Sequence, residues 1–229
     1  MKTETSNFVL FAEDVVYPPF SPLIYDETKL VEIWDGQNFV DPTWSASIST
    51  PDNDIICANI PTTGIVNDLR TIIFNGINQS GNSTVPVIAQ PYTIYLVFKQ
   101  ITWTNNDYIF DDGIISFRIQ LTQEPLTPSI RLYEDNGAIN IDTNELAVNT
   151  WGIVTVVMAG SNSGLRVDLN SMRHADMGLL SQNGINVASS SLGTGFGNIE
   201  FAYIIVRSAA DPTSVQNLFI NWLKTRFGI

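Results

Sequence analysis

The chain has 229 residues, 44% of them hydrophobic and only 15% charged, with a formal net charge of −12. That composition supports a folded core and excludes a disordered chain. The negative field opposes a phosphate backbone, and the eleven Lys and Arg are scattered, so nucleic acid is not an expected partner. The single cysteine, Cys57, allows no internal disulfide and no thiolate metal site.

In chain order, residues 1–30 read as an extended N-terminal arm stiffened by the prolines of "YPPFSP". Glu4, Glu13 and Asp14 flank a short apolar run, which does not match a cleaved signal peptide. No stretch reaches membrane-spanning length, so membrane insertion is not expected. Residues 31–229 read as one β-domain. "YTIYLVFKQI" has the near-continuous apolar character of a strand buried on both faces, whereas "IISFRIQL" alternates. "SIRLYEDNGAINID" reads as a hairpin about Asp135-Asn136-Gly137. "WGIVTVVMAG" and "LRVDLN" form a second hairpin across "GSNSG", and "NIEFAYIIV" is the last strand. The spacing of these pieces predicts an all-β, two-sheet antiparallel sandwich.

One amphipathic helix is predicted at the end, over about Pro212 to Arg226. Asp211 is the expected cap, Val215, Leu218, Phe219, Trp222 and Leu223 the apolar stripe, and Gly228 the stop.

"PYTIYLVFKQ", "YIFDDG", "NTWGIVTVVMAGSNSGLRVDLN" and "FGNIEFAYIIVRSAADPTSVQNLFINWLKTRFGI" follow one another in an order that resembles the concanavalin A-like lectin/glucanase superfamily, in its laminin G-like branch. The resemblance covers residues 30–229 and implies a jelly-roll sandwich with a closing helix and, often, carbohydrate or protein binding. The glucanases of that superfamily carry Glu-x-Asp-x-x-Glu on one strand, and none of the eight glutamates here starts such a triplet. The chain also has no G-x-S-x-G, and His174 is its only histidine. An enzyme is therefore not expected. His174 reads as a surface residue, and "GTGFGN" reads as an inter-strand turn because it leads into a strand rather than a helix.

Two features fit binding. Trp103 and Tyr108 offer ring faces in the loop Thr102 to Gly113, with Asn105, Asn106 and Asp107 between them to pair with hydroxyls; Trp44 is a second candidate for stacking. Asp111 and Asp112, and separately Asp168, Asn170 and Asp176, are oxygen-rich groups of the kind that hold Ca²⁺. Trp151 and Trp222 read as core. "NQSGNST", with sequons at Asn78 and Asn82, reads as an exposed loop.

The expected function is a non-catalytic, lectin-like recognition domain for a glycan or cell-surface receptor, on a virion (a phage fibre or capsid accessory protein) or a bacterial surface. The alternative is a structural virion subunit that docks on other virion proteins through residues 1–30. Self-association into a homo-oligomer is compatible with either.

Overall fold

The computed structural model describes residues 25–48, 53–83, 87–112, 120–123, 129–134, 137–141 and 145–229. Among them the chain is all-β apart from short 3-10 turns and one α-helix, α1 (Thr213–Phe227). Every ladder between named strands is antiparallel.

The first half of the sheet is built on β7 (Tyr92–Gln100), which lies between β12 (Trp151–Met158) and β16 (Asn198–Arg207). Beyond β12 come β13 (Ser163–Val167) and β14 (Arg173–Ala175). On its other side β16 pairs with β1 (Leu30–Val40) and with β5 (Leu69–Asn75), which carries β4 (Thr62–Val66) at the margin. The second half runs from β2 (Thr43–Ala46) through β3 (Ile55–Ala58), β6 (Ser80–Ser83), β15 (Ile185–Val187), β8 (Tyr108–Asp111), β9 (Gln120–Gln123) and β10 (Ile130–Glu134) to β11 (Gly137–Ile141). The two halves are not hydrogen-bonded as separate sheets. The β1–β2 hairpin carries one into the other, and β11 comes round to touch β13 and β14. The result is one curved antiparallel ladder, nearly closed like a barrel.

Two apolar clusters explain the strand sequences. The larger lies inside the curve and takes Ile94, Leu96 and Phe98 of β7, Val154 and Val156 of β12, and Phe110, Leu121 and Leu132 of the other half. The smaller lies outside β7, β12 and β16, beneath α1, and takes the alternate residues Tyr95, Val97, Ile153 and Ile205. A strand that feeds both clusters has no polar face, so β7 loses the alternation that marks a one-sided strand.

The helix lies where it was expected, with Gly228 in the left-handed region at its C-terminus (φ 63°). Its buried stripe is rotated, however: Gln216, Phe219, Ile220, Leu223 and Phe227 face the sheet. Leu218 is 44% exposed and Val215 and Trp222 are half-buried. Phe219 sets the rotation by stacking on Tyr95, with ring centroids 4.8 Å apart. The N-cap is Pro212, without a side-chain cap bond, because Asp211 is engaged elsewhere. Its Oδ2 accepts from Tyr95 Oη and from Arg207 Nε, each at 2.8 Å. Trp151 is also half-buried, with Lys99 Nζ 5.1 Å from its ring centroid.

"NQSGNST" is not simply a loop. Ser80–Ser83 form β6, wedged between β3 and β15. Gly81 makes this fit: a Cβ there would lie 2.5 Å from Ile55 Cγ2 and 2.9 Å from Val187 Cγ2. Most of "IISFRIQL" and the hairpin tip Asp135-Asn136 lie outside the described residues, although β10 and β11 pair as that hairpin requires.

Candidate functional site

The loop from Thr102 leaves the C-terminal end of β7 and re-enters the sheet as β8. Five of the hydrogen bonds that hold its shape are made by Gln123 at the end of β9, which is fully buried. The Gln123 carbonyl accepts from Asn106 N (2.9 Å), and its N–H donates to the Asp107 carbonyl (2.9 Å). Its side-chain Oε1 accepts from Thr104 N (2.9 Å), while Nε2 donates to the Thr102 carbonyl (2.9 Å) and to Gln100 Oε1 (2.8 Å). Asn106 takes the left-handed conformation (φ 65°) that lets the loop turn over this peg. The seven-residue loop 101–107 is thereby fixed largely by hydrogen bonds.

The loop carries the expected side chains outward. Asn105 and Asn106 are exposed, and Trp103, Asp107 and Tyr108 are half-exposed. The Trp103 ring is turned so that Nε1 is buried, with no hydrogen-bond partner among the described residues. Burial raises the Asp107 carboxyl above its ordinary range, opposed by a hydrogen bond from the Thr104 side chain.

Reasoning from sequence missed a second loop against which this one packs. "GTGFGN" does form a turn into β16, but it also floors the site. Tyr108 N donates to the Gly195 carbonyl at 2.9 Å, and Tyr108 bridges Phe196 in parallel register. Gly195 (φ 61°) is required there, since a Cβ would sit 2.7 Å from the Tyr108 ring. Leu192 is 54% exposed and Phe196 half-exposed beside it. The two φ-positive glycines, 193 and 195, were the available signal.

Other candidates fall elsewhere. Trp44 is completely buried, packs near Phe201 and donates from Nε1 to the Asp35 carbonyl at 2.7 Å. Its place in the β1–β2 hairpin turns it into the larger core, so it offers no face to a ligand. Asp111 and Asp112 are both fully buried, and Asp111 Oδ2 accepts from Ser191 N at 2.7 Å. Asp168, Asn170 and Asp176 do not act on one point. Asp168 accepts from Ile153 N and pairs with Lys224 of α1 (3.1 Å each). Asn170 donates to Glu145, and Asp176 accepts from Gly178 N within its own turn. Among the described residues no three His, Cys, Asp or Glu side chains gather as a metal site. His174 is exposed, with Nδ1 3.3 Å from the Ser163 carbonyl, while Cys57 is buried and its thiol is pushed up to about 12, chiefly by desolvation and further by Asp41. No helix of the described residues is long and apolar enough to cross a membrane.

The buried carboxylates are tied into structure. Glu200 of β16 receives the Thr71 hydroxyl and Lys99 Nζ, each at 2.5 Å, linking three strands. Glu32 Oε1 accepts from Ile33 N and Ile48 N, each at 2.9 Å.

No protein-family model matches the chain, and no curated protein matches it in sequence. Solved structures do resemble it. Domain 4 of AbnA, a GH43 extracellular arabinanase from Geobacillus stearothermophilus in complex with arabinotriose, superposes with a TM-score of 0.67 at 10% identity, over 84% of this chain and 98% of that one. Trypanosoma rangeli sialidase in complex with sialic acid gives 0.65 at 13% identity over 87% of this chain, which spans only 33% of the sialidase chain. The binding domain of Paraclostridial Mosquitocidal Protein 1 gives 0.61 at 11% identity, over 85% of this chain and 52% of that one. At such identities the likeness is one of fold, a shared β-rich architecture.

Proposed function

We propose that this chain is a non-catalytic, lectin-like glycan-recognition module, that its folded-over ladder is a concanavalin A-like jelly roll of the laminin G-like kind, and that it serves on a virion or bacterial surface. The observation that carries the glycan reading is the Gln123-pegged loop. It holds two half-exposed aromatic rings, Trp103 and Tyr108, beside exposed Asn105 and Asn106 on a rigid sheet end. Sugars present apolar C–H faces and hydroxyls together, and a fixed ring flanked by amides answers both without paying the entropy of ordering a mobile loop. The fold likeness to an arabinanase domain solved with arabinotriose, over 98% of that domain, supports the same reading.

We further propose that the chain does not hydrolyse glycosidic bonds. Hydrolysis needs two carboxylates facing a shared substrate space, and Glu200 and Glu32 are instead hydrogen-bonded within the sheet. The deciding experiment is a glycan array with the purified chain, with and without Ca²⁺, alongside a reducing-end assay on any ligand found. Binding without product release is expected. Product release abolished by one Asp or Glu substitution overturns the non-enzyme proposal, and Ca²⁺-dependent signal restores a metal role to the acidic loops.

A second reading, as a structural assembly subunit, has one observation in its favour. Among the described residues β4 pairs only with β5, and it carries no charged residue and leaves Ile65 74% exposed. An array without signal, together with concentration-dependent self-association lost in Ile65→Lys, moves that reading ahead.

A further inference from the structure

The loop is continuous with a row of side chains on the outer surface of the second half-sheet. Tyr108 of β8 lies opposite Thr122 of β9, Thr122 opposite Arg131 of β10, and Arg131 opposite Asn140 of β11. Their immediate neighbours Ile109, Leu121, Leu132 and Ile139 are in the larger core, so strand alternation places the row on the opposite, outer face, and a bulge between Tyr108 and Phe110 returns Phe110 to the core beside Leu121. Helix α1 covers the other half of the sheet and does not roof this one. Strands sit about 4.8 Å apart, so Tyr108 to Asn140 spans about 14 Å. That is longer than one sugar ring.

The chemistry along the row is graded. Tyr108 gives a half-exposed ring. Thr122, only 7% exposed, is a buried step in the row and adds little surface of its own. The Arg131 guanidinium lies over the Tyr133 ring, 5.0 Å from its centroid, so a flat cation and an aromatic form one platform. Asn140 closes the row as an exposed amide. These are ring faces and neutral or cationic donors in a line, each set on a strand rather than a loop.

We infer that the binding surface continues from the loop across β8, β9, β10 and β11, and that its ligand class is a linear oligosaccharide of several units rather than a single terminal sugar. The inference rests on the glycan-binding reading. Trp103 and Tyr108 hold one end of the ligand, and the Arg131–Tyr133 platform holds units farther along.

The test is an array of mono-, tri- and hexasaccharides built from arabinose, galactose, glucose and sialic acid, followed by titration of the best series. Affinity is expected to rise by about tenfold or more from the single sugar to the hexasaccharide in at least one series. Arg131→Ala and Tyr133→Ala should remove that gain while leaving the weak monosaccharide binding unchanged, and Trp103→Ala should weaken every length. Arg131→Gln, which keeps a long polar side chain on the strand, guards against a folding defect, and circular dichroism reports the fold of each variant. Equal affinity for all lengths overturns the inference and leaves the glycan reading standing. So does an equal loss at every length in both Arg131 variants. No binding to any sugar overturns both.

Discussion

The two halves of the sheet use the same backbone and solve different problems. In the half around β7, β12 and β16, α1 covers the outer face, and residues on both faces enter apolar clusters. In the half around β8, β9 and β10, one face is buried and the other carries the half-exposed Tyr108, Arg131 and Tyr133. The difference teaches where recognition is affordable. A face buried under a helix is committed to stability, while a face left to solvent, with its loops pegged from behind, is available for a ligand.

The comparison breaks most visibly at Phe219. Truncation to alanine removes a fully buried ring stacked on Tyr95 and should cost about 3–5 kcal/mol by chemical denaturation. A loss below about 1 kcal/mol would mean that α1 is not a structural roof. For Gln123→Ala the expected cost is smaller, about 1–3 kcal/mol, chiefly from the buried Gln100 Oε1 left without its donor. The loop amides 104–107 should then exchange hydrogen faster while those of β7 do not.

Cys57 sharpens the claim that the inner face of the second half is as dry as the first. Its folded pKa of about 12 exceeds the value of about 8.5 of an unfolded thiol. The folded state therefore holds its proton more tightly, and this contribution is intact below pH 8.5 and lost as the pH rises toward 12. Stability should fall by up to about 1.4 kcal/mol per pH unit across that window, and Cys57→Ala should flatten the slope. Rapid labelling of the native thiol at pH 8 would contradict such burial. Smallest in stability is Trp103→Ala, at less than about 1 kcal/mol, with a loss in sugar affinity of about 1–3 kcal/mol by analogy with base stacking. A large fall in melting temperature with unchanged sugar binding would assign Trp103 to the core.

The strongest strands were legible because burial on two sides writes an apolar run. β7, β12 and β16 are each such a run, and α1 shows its helical spacing with glycine at its end. β3, β6 and β15 were not legible. They are three or four residues long, and β6 is "SGNS", a strand only because a glycine lets two neighbours close over it. For the site, the composition of the 102–108 loop pointed to ring faces and amides, and Trp44 failed because a tryptophan between Pro42 and Ser45 reads alike whether it turns in or out. The peg at Gln123 left no local trace, since its partners are 16 or more residues away in sequence.

The position of β16 has a consequence for how the molecule is made. This strand lies between β1 and β7, and it is synthesised after the other fifteen. Until it emerges, β1 and β7 have no partner on their inner edges, and Leu30 waits for Arg207 while on the order of ten seconds or more of translation pass. From the emergence of β7 until that of β16 the nascent chain thus carries two open strand edges, a state that favours pairing with other chains. Insertion of one late strand completes both pairings together, so β1 and β7 depend on residues far downstream and cannot mature ahead of them.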